Sequence, residues 1–323
     1  MPASPEPMLD RPGRPALSVP GLCPDTLERP DWQTTGRDWP HRERSRFVSA
    51  AGIRWHVQLF GEERGADLLL LHGTGAASHS MAGLAPRLAE RFRVIVPDLP
   101  GHGFTDPLPA ARTTLPGMAA ALAGLLATLE AAPVLAVGHS VGAAILARMA
   151  LDGHLAAKAI VALNGALVPL DGLAGLIFSP MAKLAASSGL VPRLFAWHAT
   201  IDPTLVANLL RDTGSRLDPR TLELYGRLAR APGHVAGALA MMAGWDLDGL
   251  ARDLPRLSTP LLLLVGRNDR TVPPAAARRV AELVPTAELR YLPGLGHLAH
   301  EEAPEAIAAA ILERAVALGI AGA

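Results

Sequence analysis

Three side chains in this sequence could together perform nucleophilic catalysis. Ser140 stands in Gly138-His139-Ser140-Val141-Gly142, a G-x-S-x-G pattern. A serine hydroxyl is a poor nucleophile without a base and an acid to orient that base. Asp269 closes Gly266-Arg267-Asn268-Asp269, and His297 closes Gly294-Leu295-Gly296-His297. A serine, a carboxylate and an imidazole suit acyl transfer. The hydroxyl attacks a carbonyl, the imidazole takes its proton, and the carboxylate holds the imidazole. The carbonyl oxygen then gains negative charge and needs two backbone N–H donors. Val141, next to the nucleophile, supplies one. Thr74, in His72-Gly73-Thr74-Gly75, is the natural second.

Other residues compete for these roles. Asp269 could instead cap the next element. Asn268 has no charge to stabilise an imidazolium, and Asp253 precedes its strand. The other position suited to the acid, after the run Ala159–Leu163, holds Asn164. His300 is the rival base, but it lies within a segment leading to a helix rather than just after a strand end. His139 lies inside the turn and should point away from the nucleophile. His72, Asp98 and His102 read as loop-packing residues. No His/Cys/Asp cluster has ligand spacing, so neither a metal nor a cofactor is expected.

The elements that must hold these residues alternate along the chain. Short apolar runs at Leu68–Leu71, Arg93–Val96, Val134–Val137, Ala159–Leu163, Leu261–Val265 and Leu289–Leu292 read as strands. Leu84–Arg91, Met118–Leu129, Ala143–Leu151, Ala275–Leu283 and Pro304–Leu318 read as helices. Residues 47–59 suggest a hairpin. The pattern predicts an α/β protein with a mostly parallel central sheet flanked by helices. Each candidate follows a strand directly, at the carboxyl edge where such sheets gather ligands. Ser140 falls at a sharp strand-to-helix turn that needs glycine on both sides.

Residues 167–246 interrupt the alternation with helical stretches at Leu173–Ala186, Pro203–Asp212, Thr221–Ala229 and His234–Ala243. They read as a helical cap inserted in a core of residues 38–166 and 247–323. From Ala166 to Ile201 only Asp171, Lys183 and Arg193 are charged. That poverty of charge is expected of ordinary packing, or of a cap covering an apolar pocket or facing a membrane. Residues 1–37 are rich in proline and read as a disordered tail.

Composition excludes several classes. The chain has 323 residues, with 30 Lys+Arg against 30 Asp+Glu. Zero net charge argues against a nucleic-acid binder. Half of the residues are hydrophobic, yet no apolar run approaches the roughly 20 residues a spanning helix needs. The N-terminus lacks the apolar stretch of a signal peptide, and Cys23 has no partner for a disulfide, so the cytoplasm is the expected location.

Together these motifs resemble the α/β-hydrolase superfamily from about residue 45 onward. Pro97-Asp98-Leu99-Pro100-Gly101-His102-Gly103 and Gly296-His297-Leu298-Ala299-His300-Glu301-Glu302 add to the likeness. The serine at 140 departs from the dehalogenase and epoxide-hydrolase branches, which place an aspartate there. Asp38-Trp39-Pro40-His41-Arg42, Leu163-Asn164-Gly165-Ala166-Leu167, Gly214-Ser215-Arg216-Leu217-Asp218-Pro219 and the stretch Pro232 to Met242 resemble a narrower family. These are the α/β-hydrolase-like magnesium-chelatase accessory proteins (the BchO family) of bacteriochlorophyll biosynthesis. The resemblance implies a role near magnesium insertion into a tetrapyrrole and contact with magnesium chelatase. It does not imply a reaction. Two expectations stand: a serine hydrolase acting on a small apolar ester-like substrate, or a tetrapyrrole-binding accessory protein that leaves the triad unused. The apolar cap adds an expectation of peripheral contact with the inner face of the membrane.

Overall fold

The computed structural model describes residues 27–169 and 188–320. An eight-stranded sheet forms its centre, in the order β1-β2-β4-β3-β5-β6-β7-β8. The strands are β1 (Ser45–Ala50), β2 (Ile53–Phe60), β3 (Asp67–Leu71), β4 (Arg93–Pro97), β5 (Leu135–His139), β6 (Ala159–Leu163), β7 (Leu261–Gly266) and β8 (Ala287–Leu292). β2 runs antiparallel to β1 and β4. The remaining pairs, from β4 to β8, are parallel.

The continuous apolar runs are explained by cores on both faces. Leu69 and Leu71 of β3 point to one hydrophobic cluster, with Trp55, Ile160 and Leu263. Leu68 and Leu70 point to the other, with Val94, Val161 and Leu264. A strand covered on both sides has no polar face to alternate. At the edge, β8 is only partly buried and carries Glu288 and Arg290, charges that discourage pairing with another chain.

The helices are α1 (Ala85–Leu88), α2 (Leu115–Thr128), α3 (Val141–Leu151), α4 (Leu190–Ile201), α5 (Thr204–Asp212), α6 (Pro219–Ala229), α7 (Pro232–Ala243), α8 (Leu247–Asp253), α9 (Pro274–Leu283), α10 (Ala299–Glu302) and α11 (Pro304–Ala317). Four differ from expectation, among them α10, a single turn where only a segment leading to a helix was expected. The helix expected over Leu84–Arg91 is a single turn. Neither α4 nor α8 was anticipated as an element. In α4, Pro192 falls in the first turn, where its missing N–H costs little. The start of α8 is capped by the Asp246 side chain, which accepts from Gly249 N at 2.8 Å. The expected helix Leu173–Ala186 lies outside the described residues.

Residues 27–37, expected to belong to the tail, pack against the core, and residues 1–26 lie outside the described residues. Leu27 is buried, and the Arg29 guanidinium donates to Thr105 O. The Trp32 ring packs against Phe47, His56 and Phe104 at centroid distances of 5.4, 5.0 and 4.8 Å. The partly buried indole thus joins an aromatic cluster that anchors this segment to β1, β2 and the loop after β4.

Between β6 and β7 the described chain runs through α4 to α8, and residues of α4 to α7 cover the loops at the carboxyl ends of the strands. Among the described residues no helix is long and apolar enough to cross a membrane.

Candidate active site

Ser140 occupies the turn between β5 and α3 with φ 50° and ψ −112°. A non-glycine residue rarely adopts a positive φ, and such strain persists only where the surroundings impose it. Here Ser140 N donates to Leu163 O at 2.9 Å, and Ser140 O accepts from Ala166 N at 3.0 Å. The flanking glycines make the turn sterically feasible. A Cβ on Gly138 would lie 2.5 Å from Ala143 N, and one on Gly142 would lie 2.8 Å from Leu71 O.

His297 and Asp269 meet directly. His297 Nδ1 donates to Asp269 Oδ2 at 2.8 Å. The other carboxylate oxygen, Oδ1, accepts from Thr271 N at 2.8 Å and Val272 N at 2.9 Å. Both side chains are buried, so the carboxylate is held in one orientation and imposes the Nδ1–H tautomer. That tautomer leaves Nε2 as the ring's proton acceptor. Ser140 and His297 line the same cavity. Among the described residues no hydrogen bond joins Ser140 Oγ to the ring. Such contacts commonly tighten only when substrate binds.

Thr74 and Val141 line that cavity too. Val141 opens α3, so its N–H has no intrahelical partner and sits at the positive end of the helix. Thr74 Oγ1 points to Met241 Sδ of the cap at 3.4 Å. The His72 ring shapes the Thr74 loop by donating from Nδ1 to Gly73 O and accepting from Leu99 N at Nε2, both at 2.8 Å. Burial lowers its pKa, so it stays neutral.

Asp98 is a buried hub rather than a site residue. It accepts from Ser78 N at 2.7 Å, Phe104 N at 2.9 Å and His56 Nδ1 at 2.8 Å. Burial opposes its ionisation, but the His56 ring and these donors outweigh it and hold the carboxyl below the usual range. His102 Nδ1 donates to Pro100 O at 3.1 Å.

The His139 ring packs on that of His297 at 4.7 Å and lines the same cavity, and His300 packs on His139. His139 Nε2 donates to His297 O at 2.9 Å. Burial pushes the His139 pKa well below the ordinary histidine value. His300 is fully buried, with its ring 4.4 Å from that of His139, and burial pushes its pKa down to about 3. It does not line the cavity that Ser140 enters.

Three positioning residues escape sequence reasoning. Asn164 Nδ2 donates to His297 O at 2.7 Å and Gly296 O at 3.0 Å, while its Oδ1 accepts from Gly266 N at 2.7 Å. His234 of α7 accepts from Gly103 N at 3.0 Å and donates to Gly75 O at 3.1 Å, which ties the cap to the Thr74 loop. Tyr225 Oη of α6 donates to Glu301 Oε1 at 2.7 Å. Burial raises the Glu301 pKa to about 8. The sequence motifs around Asn164 and His234 drew attention to those two positions without giving either a role, and nothing in the sequence pointed to Tyr225.

The cavity over Ser140 has a volume of about 450 Å³, within the usual range for small-molecule sites. Val191, Phe195, Leu239, Met242 and Trp245 of the cap line it, and no lining side chain carries a formal charge. Among the described residues no group of His, Cys, Asp or Glu could hold a metal ion.

A family model described as "alpha/beta hydrolase fold" matches residues 68–304. The chain belongs to the α/β-hydrolase family. It is 39% identical to the magnesium-chelatase 30 kDa subunit of Rhodobacter capsulatus, over 85% of this chain and 96% of that one. It is 29% identical to a pimeloyl-[acyl-carrier protein] methyl ester esterase of Vibrio vulnificus, over 73% of this chain and 87% of the relative. Among solved structures, a thermophilic esterase from Thermogutta terrifontis superposes with a TM-score of 0.67 at 25% identity. That match covers 85% of this chain and 98% of the esterase.

Proposed function

We propose that this α/β-hydrolase is a serine esterase-like enzyme. The observation that carries the reading is the buried bond from His297 Nδ1 to Asp269 Oδ2, beside the same cavity as a strained Ser140. Ser140 Oγ attacks the substrate carbonyl while His297 Nε2 takes the hydroxyl proton. The backbone N–H groups of Thr74 and Val141 receive the developing oxyanion. His297 returns the proton to the departing alkoxide, which leaves as an alcohol, and the acyl group stays bonded to Ser140 Oγ. Water, deprotonated by His297, then releases the acid.

The uncharged cavity supports an apolar substrate. Likeness to the magnesium-chelatase 30 kDa subunit supports service near magnesium chelatase, and the sequence resemblance to the chelatase accessory proteins extends that service to bacteriochlorophyll biosynthesis, in the cytoplasm. The cap could also meet the inner face of the membrane. Leu190, Leu194, Trp197 and Ile201 are all exposed along α4, and a tryptophan in an apolar stripe suits an interface.

The same relative favours a second reading, a tetrapyrrole-binding accessory protein whose triad is idle. Complementation of a deletion strain separates the two. The enzyme reading expects wild type to restore pigment and stable Ser140→Ala protein to fail. Full rescue by Ser140→Ala favours the accessory protein.

A further inference from the structure

On the outer side of the loop that carries Asp269 lies a second cleft, of about 730 Å³. Arg211 and Arg216 face it from the cap. Arg267 and Arg270 face it from the loop after β7. Among the described residues none of these four guanidinium groups is paired with a carboxylate. Arg211 Nη2 donates to Asn208 Oδ1 at 2.6 Å, and the Arg267 guanidinium lies over the Tyr291 ring at 5.0 Å. These contacts leave most of their N–H donors unspent.

The two carboxylates at the cleft do not balance the charge. Asp269 is turned inward to His297, Thr271 and Val272. Glu302 is engaged at both oxygens by backbone amides, Gly296 N at 2.8 Å and Arg216 N at 3.1 Å. Four cations gathered around one ligand-sized recess repel one another unless an anion joins them. The planar guanidinium fork fits carboxylate and phosphate oxygens two at a time.

The cleft is separate from the Ser140 cavity. That cavity reaches Thr213 and Thr271, whereas the cleft takes up at Gly214 and Arg270. The wall between them is closed by Arg270 N donating to Thr213 O at 3.1 Å. At Gly214 the cap and the Asp269 loop touch through backbone. Its φ is +88°, and a Cβ there would lie 1.9 Å from Asn268 O. A ligand in the cleft therefore rests on the loop that carries Asp269 and bridges cap to core without reaching Ser140.

We propose that this cleft binds a small polyanion with two or more carboxylate or phosphate groups, clamping the cap to the core. The proposal does not depend on hydrolase activity, so the Ser140→Ala protein should bind equally. The full chain would be titrated calorimetrically with inorganic pyrophosphate and with citrate, at ionic strength fixed by sodium chloride. Saturable one-site binding and a raised Tm are expected with at least one probe, and the stronger of the two identifies the preferred group. The double variants Arg267→Gln/Arg270→Gln and Arg211→Gln/Arg216→Gln should each weaken binding by roughly tenfold or more. Their unliganded Tm should change little, because the exposed Arg211–Asn208 bond and Arg267–Tyr291 contact they lose are offset by relieved repulsion. Arg46→Gln, on β1 at the far edge of the sheet, should bind as wild type. Absence of saturable binding with both probes overturns the proposal. So does binding that survives both double variants, and loss from only one double variant overturns the clamp.

Discussion

The Asn164 side chain holds the main-chain oxygen of His297 at 2.7 Å, from the end of a different strand. Its other bonds reach Gly296 O and Gly266 N. One buried amide thus joins the ends of β6 and β7 to the loop bearing the proposed base. It achieves this with φ 45°, a conformation asparagine tolerates better than most residues.

Asn164→Ala should therefore loosen the base without removing it. Leaving Gly266 N unpaired in a buried place costs about 1–3 kcal/mol, readable by urea denaturation. On a p-nitrophenyl ester, kcat should fall while KM changes little. An unchanged kcat would show that the brace does not position His297.

Asp269→Asn tests the orienting role. The amide can keep the geometry, but its NH₂ favours the wrong imidazole tautomer. In serine proteases the equivalent change lowers kcat by about 10⁴, and a loss of that order is expected in ester hydrolysis here. A loss below about tenfold would remove Asp269 from the mechanism.

Glu301→Gln should change the response of stability to alkali. Burial raises the Glu301 pKa from 4.5 to about 8. Between these values the folded chain holds a proton that the unfolded chain has released. Its contribution is full below about pH 4.5 and is lost as pH rises through about 8. Glutamine keeps an acceptor for Tyr225 and cannot ionise. The variant should match wild type near pH 4.5 and melt at a higher temperature at pH 9. Parallel melting curves from pH 5 to 9 would show that Glu301 ionises freely.

The sequence revealed the sheet and the proposed chemical centre for related reasons. A strand buried on both faces, such as Ala159–Leu163, is a short apolar run that few other structures require. The Ser140 turn needs glycine at 138 and 142 because a Cβ at either would lie within 3 Å of neighbouring backbone. Other features depend on contacts distant in sequence and leave no local pattern. Trp32 is held by Phe47, His56 and Phe104 and by the Arg42 guanidinium over its ring. Asn164 can be seen in sequence only as the absence of a carboxylate. The Tyr225–Glu301 tie joins residues 76 positions apart. In α4 the apolar residues extend round most of the helix, so periodicity did not delimit it.

The most direct test is active-site labelling of the purified full chain with a fluorophosphonate, read by intact mass and peptide mapping. The enzyme reading expects a single adduct on Ser140 in wild type, none in a folded Ser140→Ala variant, and loss of p-nitrophenyl ester hydrolysis in step. An unlabelled wild type, or equal labelling of Ser140→Ala, would contradict it.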